Sequence, residues 1–165
     1  MSTQSSGTPY AIRPARAEDA PALLALIRQL GAYERRPEAV KTTEVNLRQW
    51  LLNGSFAQAL LAQQGQQPVG YAIFHPVFHS FQGVPSLYLE DVFVVEAARG
   101  TGLGTELMRH AARYAVQQGY TGLEWSCLDW NEPSIGFYHH LGAHQKPATV
   151  SFSLSGSALD ALIGN

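Results

Sequence analysis

Two adjoining stretches of the chain carry residue types that could do chemistry. In the first, the apolar run Leu87–Val95 is interrupted in its middle by an acidic pair, Glu90 and Asp91. The second, Arg99-Gly100-Thr101-Gly102-Leu103-Gly104, is a glycine-rich turn. It leads into an amphipathic helix with Leu103, Leu107, Met108, Ala111 and Ala115 at three- and four-residue spacing. Strand, glycine turn and helix start together make a phosphate-binding device, because backbone N–H groups converge where the helix has unpaired donors. Arg99 beside those amides suits a pyrophosphate. An acidic pair inside an apolar strand breaks the local pattern as functional residues do, although a solvated strand face gives the same pattern. In a regular strand Glu90 and Asp91 fall on opposite faces; a bulge would change that.

Other chemistries fit less well. No lysine follows Gly104, so the turn is not a nucleotide-triphosphatase loop. Its Gly-x-Gly-x-Gly spacing in mid-chain also departs from the dinucleotide fingerprint. His139, His140 and His144 lack a carboxylate- or cysteine-rich companion set, and HExxH is absent, so no metal is expected. They read instead as cations near a helix end at Leu141-Gly142. His75 and His79 are candidates to line a cleft. No GxSxG elbow marks a serine hydrolase. Cys127, the single cysteine, is expected to be a buried apolar residue; it excludes an internal disulfide and fits a reducing compartment.

The elements that must position these residues follow from periodicity and breakers. The chain has 165 residues, 45% of them hydrophobic, enough for one domain over residues 10–165 after a polar segment 1–9 expected to fray. Net charge is −2, so no nucleic acid partner is expected. No run approaches a membrane span and no signal peptide is evident, which predicts a cytoplasmic protein. Tyr10–Arg13 predicts a strand stopped by Pro14, and Glu18–Tyr33 a helix with Leu23, Leu24, Ile27 and Leu30 on one face. Glu34–Lys41 reads as a loop. Thr42 or Thr43 caps a second helix with Val45, Leu47, Trp50 and Leu51 as its apolar positions, stopped by Asn53-Gly54. Phe56–Gln63 and Val69–Phe78 predict a hairpin, with a further turn at Phe81–Pro85. After the central strand and its helix come a strand over Leu123–Leu128, a short helix over Pro133–Leu141, a last strand over Thr149–Leu154 and a terminal helix over Ser157–Ile163. The class is α/β, with antiparallel strands followed by a strand–helix–strand unit.

The turn Arg99–Gly104 resembles the R/Q-x-x-G-x-G/A signature of the GNAT superfamily of N-acetyltransferases. YLEDVFV at Tyr88–Val94 and WNEPSIGFYHHLGA at Trp130–Ala143 look like its spermidine/spermine (diamine) N-acetyltransferase branch, as does the pair Tyr33-Glu34. The similarity runs from about Ile12 to Leu154. It implies an acyl-CoA N-acyltransferase fold, with a mixed, mostly antiparallel sheet splayed at its centre and flanked by helices. It also implies acetyl-CoA as the acetyl donor and a homodimer.

The resemblance assigns roles that chemistry can support. A primary amine with a pKa near 10.4 is ammonium at neutral pH and must lose a proton before it attacks a thioester. Glu90 is implied as the carboxylate that holds the ammonium and helps deprotonate it, with Asp91 beside it on the acceptor side. Backbone amides at Val92, Phe93 and Val94 would bind the acetyl oxygen as charge develops on it. Tyr138 is implied as the general acid towards the leaving thiolate and as a coenzyme contact; packing on its helix is the plainer alternative. Arg99, Gly100, Thr101, Gly102, Leu103, Gly104 and Thr105 would hold the pyrophosphate. Asn131, Glu132, Pro133 and Ser134 would hold more of the coenzyme, while Asn131 also caps the short helix.

On the acceptor side the resemblance implies substrate contacts at Tyr33, Glu34, Glu90, Asp91, Glu124, Trp125 and Ser126, with Glu124 available to a second ammonium. Here the chain departs from polyamine-specific members. Arg35 and Arg36 follow Glu34, Phe81 stands where those members tend to have tryptophan, and the aspartate they often carry near Ser80 is missing. These changes resemble thialysine-preferring members, whose substrate has a carboxylate an arginine could welcome, unless the arginines simply face water. The expected reaction is direct transfer, in a ternary complex, to a small cationic amine such as a diamine, polyamine or lysine-like acceptor. The alternatives are another amine (an amino acid, an antibiotic or a protein lysine) or a non-catalytic acyl-CoA-binding module.

Overall fold

The computed structural model describes residues 9–54, 56–146 and 150–164. They fall into two compact units, one ending at Ser126 and the other starting at Cys127. The expected frayed segment 1–9 lies almost wholly outside the described residues.

The first unit is built on a five-stranded sheet in the order β1-β2-β3-β4-β5. Its strands are β1 (Tyr10–Pro14), β2 (Gln58–Gln64), β3 (Gln67–His79), β4 (Val84–Val94) and β5 (Leu123–Glu124). Pairs β1–β2, β2–β3 and β3–β4 are antiparallel, and β4–β5 is parallel, as α3 (Leu103–Gln117) between them requires. Helix α1 (Ala20–Tyr33) packs against β3 on one side of the sheet, and α3 packs against β3 and β4.

Both helices sit where their apolar stripes dictate. Leu23, Leu24 and Leu26 of α1 are buried with Leu61, Tyr71 and Phe93 of the sheet, while Ile27 and Leu30 are only half-buried. Leu103, Leu107, Met108, Ala111 and Ala115 of α3 are all buried, as their spacing predicts. Gly70 on β3 makes the close approach possible: a Cβ there would lie 2.8 Å from the Phe93 carbonyl oxygen. Ahead of α1, Asp19 accepts two bonds from Arg13 at 2.7 and 2.8 Å and one from the Arg16 amide at 2.7 Å. These bonds tie β1 to the helix start.

Several expectations are corrected. The second helix, α2, covers only Glu44–Asn46, capped by Thr43, and continues as a π-helical turn over Leu47–Leu51. The wider turn brings Leu47 and Leu51 inward, so Val45 and Trp50, expected in the apolar stripe, are exposed. Strand β5 stops at Glu124 and not Leu128, because its pairing with β4 ends at Tyr88↔Glu124. The last strand is not formed: Thr149 lies outside the described residues, and Val150–Leu154 has no regular structure and exposes Val150 and Phe152. The second unit contains α4 (Glu132–His140) and α5 (Ser157–Leu162), close to the expected spans.

Candidate functional site

A one-residue irregularity in β4 organises the candidate site. Strands β3 and β4 pair from His79↔Val84 to Phe74↔Leu89, and then from Ile73↔Asp91 to Gly70↔Val94. Glu90 is left without an opposite number, which is a β-bulge. Alternation restarts one residue late, so Asp91 turns to the side of the sheet that carries Tyr71, Ile73 and His75. Tyr71 donates its hydroxyl to Asp91 Oδ2 at 3.1 Å, and His75 Nε2 lies 4.0 Å from Glu90 Oε2. The two carboxylates therefore share one side of the sheet, unlike in a regular strand. Glu90 is exposed. Burial, assisted by the charges of Glu90 and Glu34, pushes the Asp91 carboxyl up to about 6 against the opposing hydrogen bond from Tyr71. Burial and the Asp91 charge likewise hold the Tyr71 phenol protonated, so it acts as the donor.

Asp91 also lines a cleft of about 350 Å³ under the end of α1, together with Glu34, Arg36, Lys41 and Thr42. The helix closes with paired reverse bonds, Arg36 N–H to the Gly31 carbonyl at 2.9 Å and Arg35 N–H to the Ala32 carbonyl at 3.0 Å. This closure puts its left-handed position, usually glycine, at Arg35, with φ of +59°. Arg35 and Arg36 are both exposed, and Arg36 also lines the cleft. Gly31 lets the following loop come close, since a Cβ there would stand 2.5 Å from Val40 Cγ2.

On the same side of the sheet, in the other direction along β4, lies a second polar group. His79 Nε2 is 2.7 Å from Glu124 Oε1 and 2.7 Å from Ser86 Oγ, and Ser86 Oγ donates to Glu124 Oε1 at 3.0 Å. Ser86 is buried beneath the pair. This is not a hydrolase triad: serine and carboxylate converge on the same ring nitrogen, and among the described residues no group orients the imidazole from its far side. Tyr88 and Ser126 share a 3.0 Å hydroxyl bond, and the His75 ring lies 5.6 Å from that of Tyr88.

The opposite edge of β4 faces the glycine turn. Val95 N–H bonds to the Val69 carbonyl at 3.0 Å, so by alternation the amides of Val92 and Val94 point away from β3. Among the described residues no strand pairs with that edge beyond Tyr88. The Val94 carbonyl accepts from Arg99 Nε at 3.0 Å, and the guanidinium lies 4.7 Å from the centre of the Tyr33 ring and 5.8 Å from that of Phe93. Gly100 and Gly102 adopt φ of +74° and +87°, and the space where a Cβ would stand is open within 4 Å. Leu103, Gly104 and Thr105 open α3, so their amides have no acceptor within the helix. An open glycine turn, first-turn amides and a neighbouring guanidinium fit a pyrophosphate.

In the second unit Asn131 is buried, and its side chain accepts the Ser134 amide at 3.4 Å, with Pro133 in the first turn of α4. Ser134 and Tyr138 are half-buried, Glu132 is exposed, and the Tyr138 ring lies 5.4 Å from that of Phe137. His139 and His140 occupy the last turn of this helix, as expected. Cys127 is exposed, correcting the expectation of a buried residue: β5 has already ended, and the chain there has left the sheet. What burial it has pushes its thiol up, away from the reactive thiolate. Among the described residues no set of three or more His, Cys, Asp or Glu could hold a metal, and no helix is long and apolar enough to cross a membrane.

Sequence reasoning missed Tyr71, Ser86 and Lys41. Only Tyr71 left a signal, a polar ring tip in the part of β3 that is otherwise apolar, Val69–Phe74. Ser86 and Lys41 reach their sites through pairing and loop closure.

The acetyltransferase (GNAT) family model matches residues 23–143. A thialysine N-epsilon-acetyltransferase of Mus musculus is 30% identical over 93% of this chain and 96% of its own length. A spermidine/spermine N(1)-acetyltransferase-like protein of Homo sapiens is 30% identical over 85% of this chain and 21% of its own length. Among solved structures, an integron cassette protein from the mobile metagenome of Vibrio cholerae superposes with a TM-score of 0.78 at 23% identity. That match covers 96% of this chain and 100% of the other, and it shows a shared fold. Sheet, glycine turn, family match and relatives agree: the chain belongs to the acetyltransferase (GNAT) family and is an acetyl-CoA-dependent amine N-acetyltransferase.

Proposed function

We propose that this enzyme acetylates the primary amine of a small cationic acceptor, a lysine-like amino acid or a short diamine, by direct transfer within a ternary complex. The observation that carries this reading is the bulge, which sets Glu90 and Asp91 side by side next to the β4 edge where Val92 and Val94 present their amides. Glu90, exposed, meets the incoming ammonium. The proton it must lose goes to this carboxylate pair, directly or through a water, and Asp91 at about 6 is a stronger proton acceptor than an ordinary carboxylate. The freed amine forms the N–C bond while the C–S bond of the thioester breaks. The Val92 and Val94 amides stabilise charge on the acetyl oxygen. Tyr138 gives its proton to the departing thiolate and is restored, through solvent, by the surplus proton that the acylated nitrogen sheds; Asn131, Glu132, Pro133 and Ser134 hold part of the coenzyme. Acetyl-CoA supplies the activated acyl carbonyl, and the Arg99–Thr105 turn holds its pyrophosphate.

The relatives named for thialysine favour an acceptor with an amino-acid end, and the cleft residues support it. Arg36 and Lys41 stand beside Glu34 and Asp91, a mixture of charges that resists a long polycation. The protein is expected to act as a cytoplasmic homodimer with 10–165 as one catalytic domain; a monomer mass by light scattering removes the dimer alone. Thiol release from acetyl-CoA with thialysine, lysine, putrescine and spermidine tests the whole. Tyr138→Phe should lower kcat by roughly 10²-fold or more. Unchanged kcat removes Tyr138 as the acid. Intersecting initial-velocity lines are expected, and parallel lines would replace the ternary complex with an acyl-enzyme.

A further inference from the structure

We infer that Tyr33 is a positioning residue for the coenzyme: its ring carries the guanidinium of Arg99 and holds it ready for the pyrophosphate. This rests on the proposed pyrophosphate site at Arg99–Thr105. It gives Tyr33 a task separate from the acceptor contact that the resemblance implies.

An arginine on an open surface is an inefficient anchor for an anion. Arg99 is exposed and its side chain is long, so a free guanidinium would lose its rotamer freedom only as the phosphate arrived. Here much of that freedom is already gone. Nε donates to the Val94 carbonyl at 3.0 Å, and the guanidinium carbon stands 4.7 Å from the centre of the Tyr33 ring and 5.8 Å from that of Phe93. Both rings are themselves held. Phe93 is buried, and Tyr33, half-buried as the last residue of α1, packs against the same core cluster. The backbone beneath is fixed as well, with the Arg99 N–H bonded to the Glu96 carbonyl at 3.1 Å.

These contacts divide the guanidinium without using up its anion-binding edge. An aromatic ring attracts the cation through its flat face, whereas the N–H donors lie in the plane and point along the edge. With the face given to the ring and Nε to Val94, the two terminal nitrogens form a fork that suits two phosphate oxygens. Tyr33 is followed directly by Glu34, which lines the acceptor cleft with Asp91. One helix end thus serves both substrates.

The test is the dissociation constant of coenzyme A, measured by titration calorimetry under reducing conditions with no amine present. Tyr33→Leu removes the ring and should weaken binding about fivefold, the scale of one long side chain left to be ordered by its ligand. Tyr33→Phe keeps the ring and should stay within about twofold of wild type. Arg99→Gln should weaken binding about tenfold or more. Adding Tyr33→Leu to Arg99→Gln should then change the constant by less than about twofold, because the ring has no guanidinium left to hold. Misfolded protein lowers the stoichiometry of the titration and leaves the constant of the remainder readable. Unchanged binding in Tyr33→Leu overturns the inference, and so does an equal loss in Tyr33→Phe. A further loss of the same size in the double variant also overturns it, since a general disturbance of the helix end gives that result. Each of these outcomes leaves amine transfer and the pyrophosphate site standing. Unchanged binding in Arg99→Gln removes the phosphate role of Arg99 and the support from Tyr33 together.

Discussion

The same two strands present two unlike surfaces. Towards α3, Phe74, Leu87 and Leu89 are buried, and the Phe74 ring packs 5.2 Å from that of Tyr114 on the helix. Towards α1, within a few residues, the strands carry His75, His79, Ser86, Tyr88, Glu90 and Asp91. One surface is a packing problem solved by shape. The other holds charge in a partly dry setting, and its groups are stable only as far as they partner one another. The α1 side also buries Tyr71 and Phe93 in the core, but its exposed and half-buried polar groups, unlike Phe74, Leu87 and Leu89, serve the site, and substitutions should separate the two.

The largest effect is expected on the apolar side. Phe74→Ala should cost about 3–5 kcal/mol, read from denaturant unfolding, because the cavity lies under a packed helix. A loss below about 1 kcal/mol would mean that α3 contributes little to the core. Glu90→Gln should do the reverse: kcat falls by roughly 10²-fold or more, while stability stays within about 0.5 kcal/mol because the side chain is exposed. Comparable losses in both readouts would erase the division between the two sides.

Asp91 sharpens the contrast through pH. Its folded pKa of about 6 lies above the ordinary value near 3.9, so the native state holds the proton more tightly than the unfolded chain. Its contribution is fully present below about pH 4 and is lost as pH rises through about 6. Asp91→Asn should therefore be more stable than wild type at pH 8, on the order of 1–2 kcal/mol, with the gap closing at pH 4. A gap independent of pH would refute this. Asp19 has the opposite sign: the hydrogen bonds from Arg13 hold its carboxyl below the ordinary range, so its contribution is lost as pH falls. The smallest effect concerns Arg35, whose φ of +59° glycine adopts without strain. Arg35→Gly should raise stability by up to about 1 kcal/mol, and a loss would mean that the side chain contributes more than the strain costs.

The apolar side was the more legible in sequence. Leu103, Leu107, Met108, Ala111 and Ala115 announce α3 by period alone, and each is buried. Glu90 and Asp91 were visible as an interruption, but which way each points depends on how β3 pairs, and no local pattern encodes that. Arg36 reached the cleft through a left-handed residue at Arg35, where glycine would have marked the turn. Cys127 was misjudged because apolar neighbours suggested a strand, whereas β5 ends three residues earlier, where pairing with β4 stops. Local preference can be read from the chain; long-range pairing decided the rest.

The bulge at Glu90 behaves like a frameshift in a message of period two. Pair Glu90 regularly with Ile73 instead, and everything downstream changes sides: Asp91 would swing towards α3 and Phe93, now buried beneath α1, would follow it out of its core. A strand paired in that way could not trade a little activity for a tidier ladder, because it would forfeit a hydrophobic anchor in the same stroke. The irregularity can be smoothed only by re-pairing, which loses that anchor, or by deleting Glu90, which loses the carboxylate itself. The acidic pair is insured by an aromatic ring that takes no part in its chemistry.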